Sequence, residues 1–416
     1  MTGGNHYDDL ETRSPDDREA SLLSHLPEQV DHAKRNSIYF GDMLRDVDAK
    51  SITSRDALAA LPMTRKSELV EWQSRRPPLG ELTSVPARDL RRIYQSPGPI
   101  YDPEGSGTDW WRMARALYAA GFRRGDIIHN AFSYHLTPAG AMMESGAEAL
   151  GCAVVPAGVG NTELQVQAIN DIGPTGYVGT PSFLKILIEK AAASDLDATS
   201  FTKACVGGEA FMPDQRQAFE AAGIQAYNVY ASADLGSIAY ETEAREGLIV
   251  DEGVLIEIVR PGTGDPVAEG EVGEVVVTLM FNQDYPLIRF ATGDLSAVLP
   301  GASPCGRTNM RLRGWMGRAD QAAKVRGMFV HPSQIAEIMK RHPEIGKARL
   351  TVDHDESGDS MRLSCEVAEP GAGDEAAAKI ADTIQSVCKL RGEVELVEAG
   401  SLPNDGKVIN DIRSFE

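Results

Sequence analysis

Short apolar runs and helix-period stripes alternate through the middle of the chain. The runs at 92–94, 125–131, 151–156, 177–179, 203–206 and 225–230 are each bounded by glycine, proline or polar residues, as buried strands are. Helical stripes lie between them. One passes through Trp110, Trp111, Ala114 and Leu117 and ends at Gly121, and a second, rich in small residues, spans 138–150. A third carries Leu164, Ala168, Ile169 and Ile172 behind a capping-box pattern at 162–165, and Gly173-Pro174 stops it. Further helices open at Thr180-Pro181-Ser182 and at Pro213. Strand–helix alternation at this spacing predicts a mostly parallel sheet covered on both faces, with ligands in the loops at the carboxyl ends of its strands.

The flanks read differently. Residues 1–17 are acidic and polar, a composition expected to be mobile until the first helix. Residues 18–72 read as helices with short breaks, Thr64 serving as one N-cap. After residue 250 the pattern turns antiparallel at 254–259, 273–278 and 287–290, predicting a small β-barrel or distorted sheet. In the last part Ser333 caps a helix through Ile335 and Ile338, and strands at 348–352 and 361–367 flank an acidic turn. A helix over 374–390 and a strand at 393–397 complete a compact α+β unit. Between the two parts lies a polar, small-residue stretch, 317–327, that reads equally as inert linker or as hinge. The expected fold class is therefore α/β. A large N-terminal domain, 1–319, has mostly parallel sheets plus a small β-barrel-like part, and a hinge joins it to a small α+β domain, 320–416.

Composition narrows the function classes. The 61 acidic against 41 basic side chains give a net charge of −20, which repels nucleic acid and anionic membrane. A phosphate-bearing ligand then needs a local cradle of donors. No long apolar run or basic-then-apolar start occurs, and five scattered cysteines fit a reducing cytoplasm.

Several loops collect the residue types such a cradle needs. Gly207-Gly208-Glu209 follows a strand and lets backbone approach a flat base, although a plain βα turn reads the same way. Tyr230, Ser232 and Asp234 offer an aromatic face, a hydroxyl and a carboxylate able to bind Mg²⁺. Thr292-Gly293-Asp294 places a carboxylate on a loop after a strand, where it could accept ribose hydroxyls or simply turn the chain. Arg318 and Lys407 add positive charge, or are ordinary exposed cations.

The order of these pieces resembles the adenylate-forming superfamily, and within it the phenylacetate–coenzyme A ligase family, over nearly the whole chain. The most specific stretches are Gly-Cys-Ala-Val-Val-Pro at 151–156 with Asn-Thr-Glu-Leu-Gln-Val-Gln and Thr-Pro-Ser after it, Pro-Leu-Ile-Arg-Phe at 286–290, and Gly317-Arg318-Ala319-Asp320 continuing to Ile335. The resemblance implies a ligase that activates an aromatic or arylacetic acid with ATP and Mg²⁺ as an acyl-adenylate and transfers it to coenzyme A. Carried over by position, Gly207, Gly208, Glu209, Tyr230, Ala231, Ser232, Asp294 and Arg318 would bind the nucleotide, and Asp234 would bind Mg²⁺. Tyr134, Gly208 and Ala231 would line the acyl pocket, Asp320 would be the hinge, and Lys407 would act with Arg318 in catalysis. A homodimer is implied as well.

Two stretches depart from the family pattern. Where the family's phosphate loop reads roughly Ser-Ser-Gly-Thr-Thr-Gly-Lys-Pro, this chain has Ser96-Pro97-Gly98-Pro99-Ile100-Tyr101-Asp102-Pro103. The prolines remove N–H donors, and Asp102 is expected to put a negative charge beside the β,γ-phosphates. Tyr230-Ala231-Ser232-Ala233-Asp234 lacks one hydroxyl and carries Asp for Glu. These departures keep open an ATP-independent acyltransferase between coenzyme A and a carrier-protein thiol or other nucleophile, an adenylyltransferase on the same fold, and a catalytically inactive binding homologue.

Overall fold

A computed structural model describes residues 4–96, 99–319, 322–326, 328–355, 358–368, 374–403, 405 and 407–413. The described chain falls into two compact units. The larger comprises Met1–Ile256, Val277–Phe290 and Leu299–Gly314, and the smaller Glu257–Val276, Ala291–Val298 and Trp315–Glu416.

The larger unit opens with helix α1 (Pro15–Asn36) and, after a helical layer, the hairpin β1 (Arg92–Ser96) and β2 (Ile100–Glu104). The strand–helix alternation then follows. It comprises α2 (Met113–Ala119), β3 (Ile127–Asn130), α3 (Ala139–Leu150), β4 (Ala153–Pro156), α4 (Thr162–Ile172) and β5 (Gly176–Gly179). After these come α5 (Pro181–Ala193), β6 (Lys203–Val206), α6 (Pro213–Ala221), β7 (Gln225–Ser232), β8 (Gly236–Tyr240) and β9 (Leu248–Val250). Strands β7, β6, β5, β3 and β4 are parallel neighbours in that order, while β8 and β9 continue the sheet antiparallel. One face packs Trp111, Met113, Leu117 and Phe122 from around α2, and Val166, Ile169, Leu184 and Phe201 form a separate apolar cluster. Because β3, β5, β6 and β7 run the same way, the residues following each of them share one edge of the sheet.

The next strands are β10 (Val254–Val259), β11 (Gly273–Leu279) and β12 (Phe290–Ser296), ordered β12–β11–β10 in a second sheet. In the smaller unit a hairpin, β13 (Ala323–Val325) and β14 (Met328–Val330), precedes α7 (Pro332–Arg341). A four-stranded sheet follows, built from β15 (Ile345–Asp355), β16 (Gly358–Val367), β17 (Glu393–Glu398) and β18 (Ile409–Asp411) in the order β17–β16–β15–β18. Ile335 and Ile338 of α7, with Ile380, Ile384 and Cys388 of α8 (Asp374–Cys388), cover Leu350, Val352, Leu363 and Cys365 of that sheet.

Several sequence expectations are corrected. The acidic start is pinned rather than loose. Glu11 is buried and accepts from the Tyr240 hydroxyl at 2.8 Å, Arg307 reaches the same carboxylate at 3.3 Å, and Tyr118 Oη donates to the Gly4 carbonyl at 2.8 Å. Trp110 and Trp111 precede their helix, since Arg112 is left-handed (φ 63°) and the Asp109 carboxylate accepts from Met113 N and Ala114 N. In α4 the buried residues are Gln165, Val166 and Ile169, whereas Leu164 is 69% exposed. The true N-cap is Asn161, one residue earlier than the capping-box pattern, and each residue of offset turns a helix face by roughly 100°. Thr64 lies in a two-residue strand, and His331, not Ser333, is the N-cap of α7.

Candidate active site

The first cluster gathers at the carboxyl edge of the parallel sheet. Gly207 and Gly208 leave β6 there, and a Cβ on Gly207 would stand 2.7 Å from the Val229 carbonyl of the neighbouring strand. Gly208 has φ 80°, which L side chains avoid, and it faces Phe132 and Thr180. Glu209 is exposed and accepts from Ser182 N at 2.7 Å, so its carboxylate caps the start of α5. Tyr230, Ala231 and Ser232 form the last residues of β7, where a register shift against β8 falls between Tyr230 and Ala231. A bulge of this kind re-aims side chains at a strand end.

Tyr134 joins the same edge. Asn130, the last residue of β3, donates from Nδ2 to Tyr134 Oη and to the Gly140 carbonyl, both at 2.8 Å. Gly140 makes room for the ring, since a Cβ there would meet Tyr134 Cδ2 at 2.8 Å. Burial, with Glu144 beside it, holds the phenol far above its ordinary range. His129 on the same strand bonds through Nε2 to Gln165 Oε1 at 2.8 Å, and Gln165 donates to the carbonyls of Gly158 and Gly160. Burial lowers the pKa of His129. This buried network fixes the loop between β4 and α4.

The stretch standing where the family has its phosphate loop is an antiparallel hairpin. Ser96 pairs with Ile100 and Tyr94 with Asp102. Pro97 and Gly98, at its tip, lie outside the described residues. Gln73 clamps the outer strand, donating to the Tyr101 carbonyl and accepting from Tyr101 N, both at 2.8 Å. On β1, the Tyr94 hydroxyl donates to buried Glu104 at 3.0 Å, and burial, with that carboxylate beside it, pushes Tyr94 up to about 12.

Asp102, expected to put a negative charge beside the β,γ-phosphates, is enclosed. It is fully buried, and burial with the Asp234 charge beside it raises its pKa well above the carboxylate range. A strand places alternate side chains on opposite faces, and Asp102 falls on the inner one.

Asp234 likewise points inward, its side chain wholly buried. Lys66 Nζ donates to Asp234 Oδ2 at 2.6 Å, with the Lys66 side chain 24% exposed. Asp234 Oδ1 is buried without a partner. Lys66 stands 168 positions away in sequence, in the break after Pro62, and no local pattern singles it out.

The remaining candidates lie in the smaller unit. Asp294 sits within β12 rather than on a loop after it, because that strand starts only at Phe290. Arg318 Nη1 donates to Asp294 Oδ1 at 3.0 Å, and Trp315 Nε1 reaches the same oxygen at 3.1 Å. The pair is reinforced by backbone, with Leu295 N donating to the Gly317 carbonyl and Ala319 N to that of Gly293. The first half of the hinge stretch is therefore tied to β12, while Asp320 lies outside the described residues. Lys407 is exposed and lines a different cleft, with Arg260, Glu271 and Lys347. Its backbone N–H donates to Asp405, which Arg349 holds by two bonds of 2.9 Å.

The chain matches the AMP-binding enzymes. The AMP-binding enzyme pattern matches residues 119–279, and that of the AMP-binding enzyme C-terminal domain matches residues 327–412. The chain belongs to the phenylacetate–coenzyme A ligase family of this adenylate-forming superfamily. It is 33% identical to the phenylacetate–coenzyme A ligase of Thermus thermophilus over 78% of this chain and 75% of that protein. It is 31% identical to that of Aromatoleum evansii, over 86% and 83%, and 30% identical to that of Escherichia coli, over 100% and 99%. Among solved structures, the open conformation of a 2-hydroxyisobutyryl-CoA ligase, in complex with 2-HIB-AMP and CoA, superposes with a TM-score of 0.73 at 24% identity, covering 97% of this chain and 93% of that one. That likeness establishes the fold.

Proposed function

We propose that this protein is a carboxylate–coenzyme A ligase that activates an aromatic or arylacetic acid as its acyl-adenylate and passes the acyl group to coenzyme A. Kinship with phenylacetate–coenzyme A ligases along the entire chain carries this reading. ATP, coenzyme A and Mg²⁺ are the co-substrates and metal of such a ligase. A substrate carboxylate oxygen attacks the α-phosphorus of ATP and pyrophosphate leaves. The coenzyme A sulfur then attacks the acyl carbon and AMP leaves.

In this reading Gly207, Gly208, Glu209, Tyr230, Ala231 and Ser232 bind adenine and phosphate, and Tyr134 with Gly208 and Ala231 borders the acyl group. Asp294 accepts from the ribose hydroxyls, with Arg318 orienting its carboxylate and meeting the phosphate. Lys407 offsets charge that grows at the α-phosphate in the first step only. The working division is 1–319 and 320–416, with Asp320 as the pivot whose backbone torsions absorb the rotation between steps. A homodimer in the cytoplasm completes the proposal, and sedimentation velocity reads its oligomeric state. No helix among the described residues is long and apolar enough to cross a membrane.

The test is substrate-dependent ATP–pyrophosphate exchange across a panel of aryl and arylacetic acids. Silence across the panel would sink the reading. The hairpin in place of the phosphate loop favours a second one, acyl transfer from a coenzyme A thioester to a carrier-protein thiol without ATP. A strict ATP requirement eliminates it.

A further inference from the structure

Asp234 stands where the family places its metal ligand, and its surroundings differ from a metal site in four respects. Its carboxylate already holds a cation, since Lys66 Nζ lies 2.6 Å from Oδ2. With the Lys66 ammonium in place the side chain is completely enclosed, so no room is left on it for an ion and the waters that Mg²⁺ retains. The second carboxyl beside it, Asp102, is also fully enclosed. Among the described residues no group of three or more His, Cys, Asp or Glu side chains is placed to hold a metal ion.

The lysine is held there by the chain around it. Arg289, itself buried and left-handed (φ 45°), donates from Nη1 to the carbonyls of Ala59 and Leu61, and its own carbonyl accepts from Thr64 N at 3.0 Å. Those bonds fix the segment that ends at Lys66. Ser232 Oγ, at the end of β7, reaches Asp234 Oδ2 at 3.5 Å, so the same oxygen links Lys66 to the strand that carries Tyr230 and Ala231.

We propose that Lys66 is the resident cation of this pocket and a positioning residue for the nucleotide-facing end of β7: its ammonium group occupies on Asp234 the place of a divalent ion, and Asp234 is not a metal ligand in this chain. The ammonium balances the Asp234 charge, and unlike a metal ion it is present whether or not nucleotide is bound. A metal that arrives with ATP is then held by groups other than Asp234. The inference rests on the ligase reading only in calling the pocket nucleotide-facing, and its test needs no turnover.

The experiment counts Mn²⁺ bound by the full-length protein, from the free Mn²⁺ signal in electron paramagnetic resonance, with and without AMP. Wild type and Asp234→Asn are expected to bind the same number. Lys66→Met is expected to bind one more ion, lost again in the Lys66→Met/Asp234→Asn double variant, and Lys66→Arg is expected to behave as wild type. Thermal melts run alongside: Lys66→Met alone lowers Tm by several degrees, Mn²⁺ restores part of the loss, and adding Asp234→Asn restores most of it. An ion present in wild type and lost in Asp234→Asn would overturn the proposal. So would a Lys66→Met protein that is destabilised yet gains no ion, because the lysine would then be a packing element only. Should Lys66→Met fail to fold, the wild-type and Asp234→Asn counts decide alone. Absence of pyrophosphate exchange, by contrast, bears on the ligase reading and leaves these counts unaffected.

Discussion

Arg318 and Asp294 are joined twice. The guanidinium donates to the carboxylate at 3.0 Å, and their backbones meet as an isolated antiparallel bridge. Side-chain and main-chain contacts together hold a cation and an anion in one fixed orientation. Trp315 Nε1 donates to the same oxygen at 3.1 Å.

Arg318→Ala is therefore expected to weaken AMP binding and to lower kcat/KM for ATP by about 10- to 100-fold, the loss of one charge-assisted hydrogen bond of about 1.5–3 kcal/mol. Arg318→Lys keeps the charge but not the planar fork, and should recover only part of that loss. Calorimetry with AMP and exchange kinetics with varied ATP measure both. Unchanged affinity in Arg318→Ala would remove the residue from the site.

Lys407 should separate the two half-reactions. Lys407→Ala is expected to reduce acyl-adenylate formation by at least about 100-fold, from the loss of charge stabilisation in the transition state. Thioester formation from supplied acyl-adenylate and coenzyme A should stay within about threefold of wild type. Equal loss in both assays would contradict a role confined to the first step.

The buried Asp102 predicts a pH dependence of stability with a definite sign. Its folded-state pKa is raised, so between the ordinary carboxylate value and that raised value the folded protein holds a proton that the unfolded chain has lost. Stability contributed by the neutral carboxyl is complete at low pH and falls as pH rises through that window, at up to about 1.4 kcal/mol per pH unit. The groups facing it are Asp234, Lys66 and Tyr285. Asp102→Asn keeps the shape of the protonated acid without its titration, and should flatten this dependence and raise stability near pH 7. Urea melts from pH 5 to 8 on both proteins test it, and parallel curves would refute the assignment.

Gly207 is expected to tolerate no side chain. A Cβ would stand 2.7 Å from the Val229 carbonyl, which belongs to the β7 backbone and cannot retreat without disturbing the parallel ladder. Gly207→Ala should cost about 1–3 kcal/mol in denaturant melts and shift the Tyr230–Ser232 end of β7, weakening AMP binding in step. A fully stable variant with wild-type AMP affinity would show that the neighbouring strand yields.

Much of the fold was legible in the residues alone. The period-two and period-3.6 patterns locate the strands and helices of the parallel sheet because each buries one face or both, and burial is written directly into side-chain chemistry. Glycine at 207 and 208, the carboxylate at 294 and the cations at 318 and 407 were visible as residue types at loop or strand ends. Their spacing in the family pattern supplied the roles proposed for them. Boundaries set by backbone torsion were not legible. The left-handed Arg112 delays α2, and the left-handed Arg289 delays β12, which moves Asp294 from loop to strand.

The sequence by itself determined the fold class, the family and the residue types available at the site. Only the tertiary structure decided which charges meet. Lys66 and Asp234 meet across 168 positions of sequence, with the Arg289 carbonyl holding Thr64 two residues before the lysine, and nothing local to either residue encodes that approach. Asp102 reads as one more charge in its loop and is enclosed once the hairpin pairs, where burial and the Asp234 charge raise its pKa.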